Sequence, residues 1–374
     1  MRILIIAFYE VFPPASGAAT VTYNCARFLS GEKFLLQLSR SRREILPGTQ
    51  TRLISVGVPQ DRSVKKAIGL GKRLPRIAAA ITDIQPNWVI LEGASWTMYF
   101  FILLRLVRNF RKKLKIVYHA HNVEYLLRKN NNGPLVVGLT KWAEKHVLEN
   151  ADFVTAVSDV DAQSFRRLYG VRPILLPNGV DPERFQAVIP DEIEAVRRKY
   201  CLNGKIVLFM GLTGFRPNRE AIEFLTERVF PVVHGHLPDA RLVVIGGPLE
   251  IKRDWLIAPG SVPYEEVPAF IKASQVCVAP IFSGSGTRLK ILEYMAAGKP
   301  VVSTAKGAEG IHVEDGKSIY LADEENFSTA IESLLLDSDL GANLGDAGRR
   351  VIAHEYAWKP ILADFERRLT LAWS

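Results

Sequence analysis

Short apolar runs alternate with helical patterns along nearly the whole chain, and this alternation limits the fold more than any other feature. It is typical of parallel sheets whose strands are joined by crossover helices, and it predicts an α/β fold. Helical patterns lie between the runs, and the last of them, 358–371, is amphipathic. Predicted strands are 2–8, 35–38, 52–56, 88–91, 115–119, 153–157 and 173–176 in the first half, and 206–210, 242–245, 276–279, 301–303 and 318–321 in the second.

Chain length and one turn-rich segment divide this alternation into two domains. At 374 residues the chain is longer than a single hydrophobic core usually supports. Residues 176–182 read L-P-N-G-V-D-P, and this density of turn residues predicts a domain boundary. We therefore predict one parallel-sheet domain over 1–180 and a second over 181–357.

Composition excludes several classes of protein. The three cysteines, Cys25, Cys201 and Cys277, are far apart and lack metal-ligand spacing, so we expect a reducing compartment and no zinc site. The chain passes directly from Met1 into an apolar run without a leader-like segment, so we expect a cytoplasmic protein. The apolar run 96–104 has nine residues, whereas a bilayer span needs about 20.

Residues 283–304 form the most informative stretch and read S-G-S-G-T-R-L-K-I-L-E-Y-M-A-A-G-K-P-V-V-S-T. The stretch follows a predicted strand, and ligands of parallel sheets bind at the carboxyl ends of the strands. Gly284 and Gly286 have no Cβ, so their backbone can approach a ligand closely. A plain strand-to-helix turn is the alternative, since short glycine motifs are weak signals by themselves.

The helix predicted after this loop, over 288–297, brings charge to the same place. Thr287, Arg288 and Leu289 are expected in its first turn, where unpaired amides and the helix dipole favour an anion such as phosphate. Lys290 adds a second cation beside Arg288. Glu293 lies off the apolar stripe of the helix, and its carboxylate can accept hydrogen bonds from a vicinal diol such as a ribose. A solvated helix residue is the alternative for Glu293.

The complete pattern G-x-G-T-R-L-K-x-L-E-Y-M-A-x-G-K-P-V-V-S-T resembles the donor-binding segment of retaining, nucleotide-sugar-dependent glycosyltransferases of family 4, the glycosyl transferases group 1. The resemblance implies the GT-B fold, in which two Rossmann-like domains face a cleft and a C-terminal helix, here 358–374, crosses back to the first domain. It also implies that Glu293 binds the ribose of the donor. Donor diphosphate binding is implied for Gly286, Thr287, Arg288, Leu289 and Lys290.

Three further segments resemble motifs of the same family. Gly17, in the small-residue loop after the first strand, matches a glycine that approaches the donor phosphates, although a plain turn is an equal alternative. His121, in Y-H-A-H-N-V-E, matches a histidine near the anomeric centre, which implies a catalytic role together with Arg288. Its alternative role is to satisfy buried backbone groups. Val262, in G-S-V-P-Y, matches the segment that contacts the nucleobase.

The sequence departs from the family pattern in two places. Many members have two glutamates separated by seven residues, and the first would fall at Ser285, so the sugar is not indicated. Many also have an arginine and a lysine, which neutralise the diphosphate, at the positions of Leu212 and Asn218. We expect Arg216 or Arg288 to replace these two cations.

A shared metal is not expected beside His121. His119, His121 and Glu124 have metal-ligand chemistry, but we expect the two histidine side chains to point to opposite faces of the extended segment. No pair of acidic residues with D-x-D spacing follows a strand near the site. We therefore predict a metal-independent enzyme without a cofactor, with the nucleotide sugar as a co-substrate.

The resemblance implies transfer of a sugar from a nucleotide diphosphate donor to a hydroxyl acceptor with retention of configuration. It places the chain among hexosyltransferases of cell-surface polysaccharide or glycolipid biosynthesis. Two alternatives stay open at this point. One is a nucleotide-sugar epimerase of the same fold, and the other is a binding protein that senses nucleotide sugars without catalysis.

Positive charge is concentrated in the first half of the sequence, and this predicts the kind of partner that the first domain contacts. The net charge is +9, but residues 1–180 contain 26 Lys and Arg against 12 Asp and Glu, a net charge of +14. We predict a lipid-linked or saccharide acceptor and peripheral contact of the first domain with the anionic inner face of the membrane. A solvated basic face is the alternative, and no nucleic-acid motif is present. The basic clusters are Arg62, Lys65, Lys66, Lys72, Arg73 and Arg76, and Arg105, Arg108, Arg111, Lys112, Lys113 and Lys115.

Overall fold

The structure is a computed structural model that describes residues 1–39, 41, 43–57, 69, 71–93, 100, 103–104, 114–129, 132–284 and 286–371. The chain divides into two compact units. Unit 1 comprises Met1–Asn178 and Trp358–Ser374, and unit 2 comprises Gly179–Ala357. The division lies two residues before the boundary expected after residue 180.

Unit 1 is built on a parallel sheet of seven strands. Its core strands are buried on both faces, which is why they read as continuous apolar runs. The strands are β1 (Arg2–Ala7), β2 (Glu32–Gln37), β3 (Arg52–Ser55), β4 (Trp88–Gly93), β5 (Lys115–Ala120), β6 (Phe153–Ala156) and β7 (Ile174–Leu175). Their order is β3-β2-β1-β4-β5-β6-β7, and the predicted strands of this half are confirmed.

Helices connect these strands, and their apolar faces pack on the sheet around Phe8, Phe100 and Phe165. The sequence between β4 and β5 also has a helical pattern over 96–111, and most of this predicted helix and of the predicted basic clusters lies outside the described residues. The short helix that follows β5 was not predicted. The helices named among the described residues of this half are α1 (Gly17–Phe28), α2 (Leu74–Ile84), α3 (Glu124–Lys129), α4 (Pro134–Asn150) and α5 (Asp159–Tyr169).

Unit 2 repeats the arrangement with six parallel strands. They are β8 (Lys205–Met210), β9 (Ala240–Ile245), β10 (Leu256–Gly260), β11 (Val276–Ala279), β12 (Val301–Ser303) and β13 (Tyr320–Leu321). Their order is β10-β9-β8-β11-β12-β13. Sequence reasoning missed β10, because this edge strand is half-exposed along its length and contains a proline, so it lacks an apolar run.

The helices of unit 2 cover the sheet and enclose two apolar clusters. They are α6 (Pro182–Gln186), α7 (Pro190–Lys199), α8 (Arg216–Phe224), α9 (Phe230–His236), α10 (Val267–Ala273), α11 (Leu289–Ala296), α12 (Phe327–Leu336) and α13 (Ser338–Val351). The turns Leu225–Val229 and Ile352–Tyr356 are π-helical.

The last helix, α14 (Trp358–Leu371), belongs to unit 1 although it follows unit 2 in the chain. The backbone N–H and the hydroxyl of Ser30 both donate to Oε1 of Glu366, over 2.6 and 2.9 Å. The return of this helix to the first domain agrees with the resemblance to the GT-B fold. Within the part of the chain that the structure describes, no helix combines the length and the apolar character needed to cross a bilayer.

The strand order of each sheet reverses at one place. In unit 1 the reversal lies between β1 and β4, and in unit 2 it lies between β8 and β11. Open parallel sheets bind ligands outside the carboxyl ends of the strands at such a switch point. The residues that follow these four strands are therefore the first place to search for a site.

Candidate functional site

The loop between β11 and α11 has the backbone that its glycines predicted. Gly284 and Gly286 have φ angles of 97° and 80°, in the left-handed region that other residues rarely adopt. Arg288 closes the loop, because its Nη1 donates to the carbonyl of Gly286 and its Nη2 donates to that of Ser283 over 3.4 Å. The arginine therefore shapes the loop with its own side chain.

Helix α11 begins one residue later than predicted. Arg288 is its N-cap in an extended conformation, with φ −83° and ψ 93°, and Leu289 is its first residue. Thr287 and Arg288 were expected in the first turn, and this expectation was wrong because the loop keeps Arg288 out of helical geometry. Only Leu289 of the three is in the first turn. The helix ends as predicted, since Gly298 has a φ of 70° after the C-cap.

Lys290 joins this helix to the end of β8. Its Nζ donates to Oδ1 of Asn218 over 2.9 Å and lies 4.0 Å from the centre of the Phe209 ring. Burial and the nearby charge of Arg288 lower the pKa of Lys290 to about 7, against the opposing attraction of Glu293. An ammonium that is costly to keep charged gains from an incoming anion.

Gly211 lies where this cluster leaves no space for a side chain. A Cβ added to Gly211 would be 2.7 Å from Nδ2 of Asn218 and 2.8 Å from Nζ of Lys290. The Asn218 amide also donates to the carbonyl of Leu212 over 3.0 Å. Asn218, which stands where many family members have a lysine, therefore holds the ammonium of Lys290 instead.

Arg216 is tied to the loop through a carboxylate. Its Nε donates to Oε1 of Glu220 over 2.7 Å, and the hydroxyl of Ser283 donates to Oε2 of the same carboxylate over 2.7 Å. The hydrogen bond from Ser283 and the charge of Arg216 hold the pKa of Glu220 below its usual value although burial opposes them. Arg216 thus meets Ser283 through Glu220, and its side chain is largely exposed.

Glu293 projects from α11 with few partners. The nearest cation among the described residues is Arg184, whose Nη1 is 3.8 Å from Oε1 of Glu293. Burial raises the pKa of Glu293, and the charges of Arg184 and Lys290 counteract this only in part. No hydrogen bond to this carboxylate is present in the described part of the chain, so its lone pairs remain available to a ligand.

Arg184, on α6, is a residue that sequence reasoning missed. Its Nη2 donates to the carbonyl of Tyr264, and its guanidinium lies 3.5 Å from the centre of the Tyr264 ring. Val262 is two residues before Tyr264 and is partly buried against the unit 2 core. Arg184 therefore links the segment of Val262 to Glu293. A lone arginine after a turn-rich boundary has no pattern by which the sequence could have revealed this.

In unit 1 a buried carboxylate lies beside the two histidines. Glu92 and His119 are register partners on β4 and β5, so their side chains are neighbours on one face of the sheet. Oε2 of Glu92 is 2.7 Å from Nε2 of His121, and Oε1 is 3.3 Å from Nδ1 of His119. The expectation that the two histidines point to opposite faces was wrong, because residues two apart in a strand share a face.

The charges of this cluster follow from its contacts. Burial opposes ionisation of Glu92, but the charges and hydrogen bonds of His119 and His121 outweigh it and hold the pKa of Glu92 well below its usual value. Burial lowers the pKa of His121 although Glu92 opposes this. A neutral His121 that donates Nε2–H to Glu92 leaves Nδ1 as the acceptor, and Nδ1 has no hydrogen-bond partner among the described residues.

The geometric argument against a metal in unit 1 does not hold. Donor atoms of Cys25, Glu92 and His119 all lie within 4.8 Å of one another. Burial raises the pKa of the Cys25 thiol well above its usual value, and the charge of Glu92 adds to this. Metal independence stays a prediction.

Glu144, on α4, holds the segment that follows His121. Its two carboxylate oxygens accept from the backbone N–H groups of Glu124 and Tyr125, over 2.8 and 3.1 Å, and from the hydroxyl of Tyr169 over 2.5 Å. It thereby occupies the N-terminus of α3. Burial raises the pKa of Glu144 to about 7 although these hydrogen bonds oppose it. The sequence contains no local signal for this contact.

Gly17 is the first residue of α1. Ser16 is the N-cap, and its hydroxyl accepts from the backbone N–H of Ala19 over 3.2 Å. The small-residue loop thus leads into a capped helix at the switch point of unit 1. The structure brings Gly17 onto the same helix as Cys25, two turns before it.

Two family models match the two halves of the chain. The model described as Glycosyltransferase Family 4 matches residues 15–184. The model described as Glycosyl transferases group 1 matches residues 204–337. The matches lie in units 1 and 2 respectively, apart from residues 179–184.

Curated relatives carry names from the same class. The GDP-mannose-dependent alpha-(1-6)-phosphatidylinositol monomannoside mannosyltransferase of Mycolicibacterium smegmatis is 28% identical over 263 residues, which is 64% of this chain and 65% of the relative. The D-inositol 3-phosphate glycosyltransferase of Acidothermus cellulolyticus is 30% identical over 267 residues, 62% of this chain and 56% of the relative. Each match spans less than two thirds of the relative.

Solved structures share the fold over the full chain. Sucrose-phosphate synthase from Thermosynechococcus elongatus has a TM-score of 0.80 at 18% identity and covers 100% of both chains. Anabaena Alr3699/HepE in complex with UDP and glucose has a TM-score of 0.75 at 14% identity and covers 99% of both chains. At these identities the similarity concerns the fold alone.

Proposed function

Because the chain belongs to the family 4 glycosyltransferases of the GT-B fold, we propose that it transfers a hexose-type sugar from a nucleoside diphosphate sugar to a hydroxyl acceptor, with retention at the anomeric carbon. The observation that carries the proposal is the cluster at the β8–β11 switch point. One loop and the helix after it supply all the parts of this cluster. They contain two glycines with left-handed backbone, the partly buried Lys290, and Glu293, whose carboxylate accepts no hydrogen bond from the described residues.

The donor diphosphate is proposed to bind at the start of α11. Backbone amides of the loop and first turn, at Gly286, Thr287 and Leu289, supply donors, and Lys290 supplies a cation whose depressed pKa favours an anion. Arg288 is proposed to stabilise the charge that develops on the departing diphosphate. Gly17 and Arg216 are proposed to complete the phosphate contacts.

The nucleoside is proposed to bind between Glu293 and the segment of Val262. A carboxylate without hydrogen bonds from the described residues can accept two from a ribose diol. Arg184 supports the position by contacting both Glu293 and Tyr264. The base would then lie against the backbone near Val262.

His121 is proposed to act near the anomeric carbon. Glu92 fixes its ring by accepting from Nε2, and this leaves Nδ1 as an acceptor at the end of β5. Glu92 is therefore a positioning residue, since it acts through His121. The tautomer follows from the hydrogen bond, because a neutral imidazole has one donor and one acceptor.

The acceptor is proposed to be a lipid-linked or other saccharide. Relatives named for phosphatidylinositol monomannoside and for D-inositol 3-phosphate support a glycolipid or polyol acceptor. Of the basic clusters in the sequence, four residues are described. Lys72, Arg73 and Arg76 are exposed at the start of α2, and Lys115 is the first residue of β5. Peripheral contact with an anionic inner membrane face is part of the proposal.

Incubation with a panel of nucleotide sugars, followed by NMR, tests the proposal. Slow acceptor-free hydrolysis of one donor, with release of the nucleoside diphosphate and an α or β sugar that reports the anomeric course, is expected. Production of an epimer from the donor would instead identify an epimerase. Tight donor binding without turnover, with or without glycolipid acceptors, would identify a binding protein.

Two further measurements test individual roles. Arg288→Ala should lower kcat more than it raises KM, because its charge counts most as the leaving group develops. Arg228→Ala, which removes a cation paired with Glu324 elsewhere in unit 2, is the matched control. Activity should persist in excess EDTA, and a loss restored by Mn²⁺ would contradict metal independence.

A further inference from the structure

Helix α4 in unit 1 exposes a row of large apolar side chains. The exposed fractions are 75% for Leu135, 42% for Val136, 48% for Leu139 and 44% for Trp142. Leu135, Leu139 and Trp142 follow one another at i, i+4 and i+7, so they lie along one side of the helix, with Val136 beside them. These four residues are here named the α4 apolar face. Single exposed apolar residues are ordinary, but four within two turns form a patch.

The other half of α4 anchors this face firmly. Ala143, Glu144, Val147 and Leu148 are buried against unit 1. Glu144 also accepts hydrogen bonds from the backbone of α3 and from Tyr169. The helix is thus fixed at its C-terminal half, while its first two turns present apolar side chains to the surroundings.

Charge around the α4 apolar face is positive. Residues 125–143 contain no Asp or Glu, and they contain Arg128, Lys129 and Lys141, with Lys145 one turn further on. Lys129, Lys141 and Lys145 are exposed. The trunk of Lys141 runs toward Tyr125, where its Nζ is 5.0 Å from the ring centre. Glu144, between Lys141 and Lys145, is buried, and Lys145 also pairs with the exposed Glu149 over 3.7 Å. Exposed apolar residues, a tryptophan and nearby lysines match the headgroup region of an anionic bilayer.

We propose that the α4 apolar face inserts into the interfacial layer of an anionic membrane, with Lys129, Lys141 and Lys145 contacting lipid phosphates. The occupant is a lipid surface because the positive rim complements anionic headgroups, and a second copy of the chain would bring the same lysines against one another. The α4 apolar face belongs to a different part of the sequence from the basic clusters at 62–76 and 105–115. The proposal rests on the proposed function only for its purpose, access to a lipid-linked acceptor.

Vesicle flotation with the full chain tests the proposal without any need for turnover. Wild type is compared with Leu135→Ser/Leu139→Ser/Trp142→Ser on vesicles of phosphatidylcholine that contain about 30% phosphatidylglycerol, since anionic lipid attracts such helices. We expect the triple variant to lose at least about tenfold in partitioning, since three inserted side chains are removed. Val232→Ser/Leu336→Ser, two exposed apolar positions of unit 2, is the matched control and should partition like wild type.

A second variant separates charge from insertion. Lys129→Gln/Lys141→Gln/Lys145→Gln should bind anionic vesicles weakly and lose most of the salt dependence of wild type. Equal partitioning of wild type and the triple serine variant would overturn the proposal. A wild-type dimer that the serine variant abolishes, without vesicle binding, would also overturn it and assign the face to a second copy. Donor binding by calorimetry should be unchanged in every variant, so failure here is distinguishable from failure of the proposed function.

Discussion

Glu92 and Glu293 are both removed from water near a switch point, yet the protein shifts their pKa values in opposite directions. Glu92 lies within 3.3 Å of two histidine nitrogens, and its pKa is held well below the usual value. Glu293 has a guanidinium at 3.8 Å but no hydrogen bond from the described residues, and burial raises its pKa. Burial alone disfavours a carboxylate, and directed hydrogen bonds from the two histidine rings reverse this effect at Glu92.

The difference separates two roles. The hydrogen-bonding capacity of Glu92 is used by the protein, so Glu92 can orient a neighbour but has little left for a ligand. Glu293 accepts no hydrogen bond from the described residues and lies beside a cation, so its lone pairs are available to a hydroxyl-bearing ligand. The contrast supports the proposal that Glu92 positions a neighbouring side chain and that Glu293 binds a ligand.

Removal of the Glu92 carboxylate should have the largest effect, and this effect is on the free energy of unfolding. Glu92→Ala leaves two buried histidines without their shared acceptor, and we expect the free energy of unfolding to fall by about 3 to 5 kcal/mol. Urea denaturation at pH 7 measures this. Because the pKa of Glu92 is lower in the folded chain, its contribution is complete above pH 4.5 and is lost as the pH falls further. A variant as stable as wild type at pH 7 would contradict the account.

Glu144 sharpens the comparison, because it accepts three hydrogen bonds and still has a raised pKa of about 7. Its donors are two backbone N–H groups and the Tyr169 hydroxyl, whereas those of Glu92 are histidine rings. A raised pKa means that its stabilising contribution is complete below pH 4.5 and is lost as the pH rises through 7. Wild type should therefore lose about 3 kcal/mol relative to Glu144→Gln between these pH values. Parallel stability curves for the two proteins would show that Glu144 is ionised throughout.

Substitution of Glu293 should weaken ligand binding without destabilising the fold, in contrast to substitution of Glu92. Glu293→Gln should weaken binding of the nucleoside diphosphate about 10- to 100-fold, since a charged acceptor is worth about 1.5 to 3 kcal/mol. Calorimetry measures this, and the unfolding free energy should not decrease because a buried charge has been removed. The control is Glu227→Gln, an exposed glutamate of the same unit. Wild-type affinity in the Glu293 variant would remove the ribose role.

The smallest effect concerns the pH dependence of Lys290. With a free pKa of about 7, Lys290 must take up a proton when a diphosphate binds. Affinity should therefore fall by about tenfold between pH 6 and pH 8 beyond the titration of the ligand itself. The Lys290→Met variant measures the part of the pH dependence that comes from the ligand alone, so its affinity should not show the additional tenfold fall. Calorimetry in buffers of different ionisation enthalpy would detect the proton directly, and no uptake at pH 7 would contradict the prediction.

Local patterns predicted the parts of the fold that depend on local chemistry. The left-handed glycines of the 283–298 segment follow from backbone freedom, and the strands with apolar runs follow from periodicity. Strand β10 was missed because an exposed edge strand needs no apolar run. The start of α11 was misplaced because the Arg288 side chain bonds back to its own loop, which a propensity does not describe.

The site residues that escaped prediction depend on contacts between distant parts of the chain. Glu92 meets His119 because β4 and β5 are paired in register, 27 residues apart. Arg184 reaches Glu293, and Glu144 reaches the α3 N-terminus, across similar or larger separations. One signal was available for Glu92, since a charged residue inside the apolar strand W-V-I-L-E-G needs a partner.

The return of α14 to unit 1 has a consequence for synthesis on the ribosome. Unit 2 is continuous, so it can fold as soon as its own residues have emerged. Unit 1 lacks the helix that carries Glu366, the hydrogen-bond acceptor of Ser30, until nearly the whole chain has been translated. The first half of the chain must therefore wait for the last, and a ribosome that stalls within unit 2 would leave the α14 contact surface of α1 uncovered for a chaperone to bind.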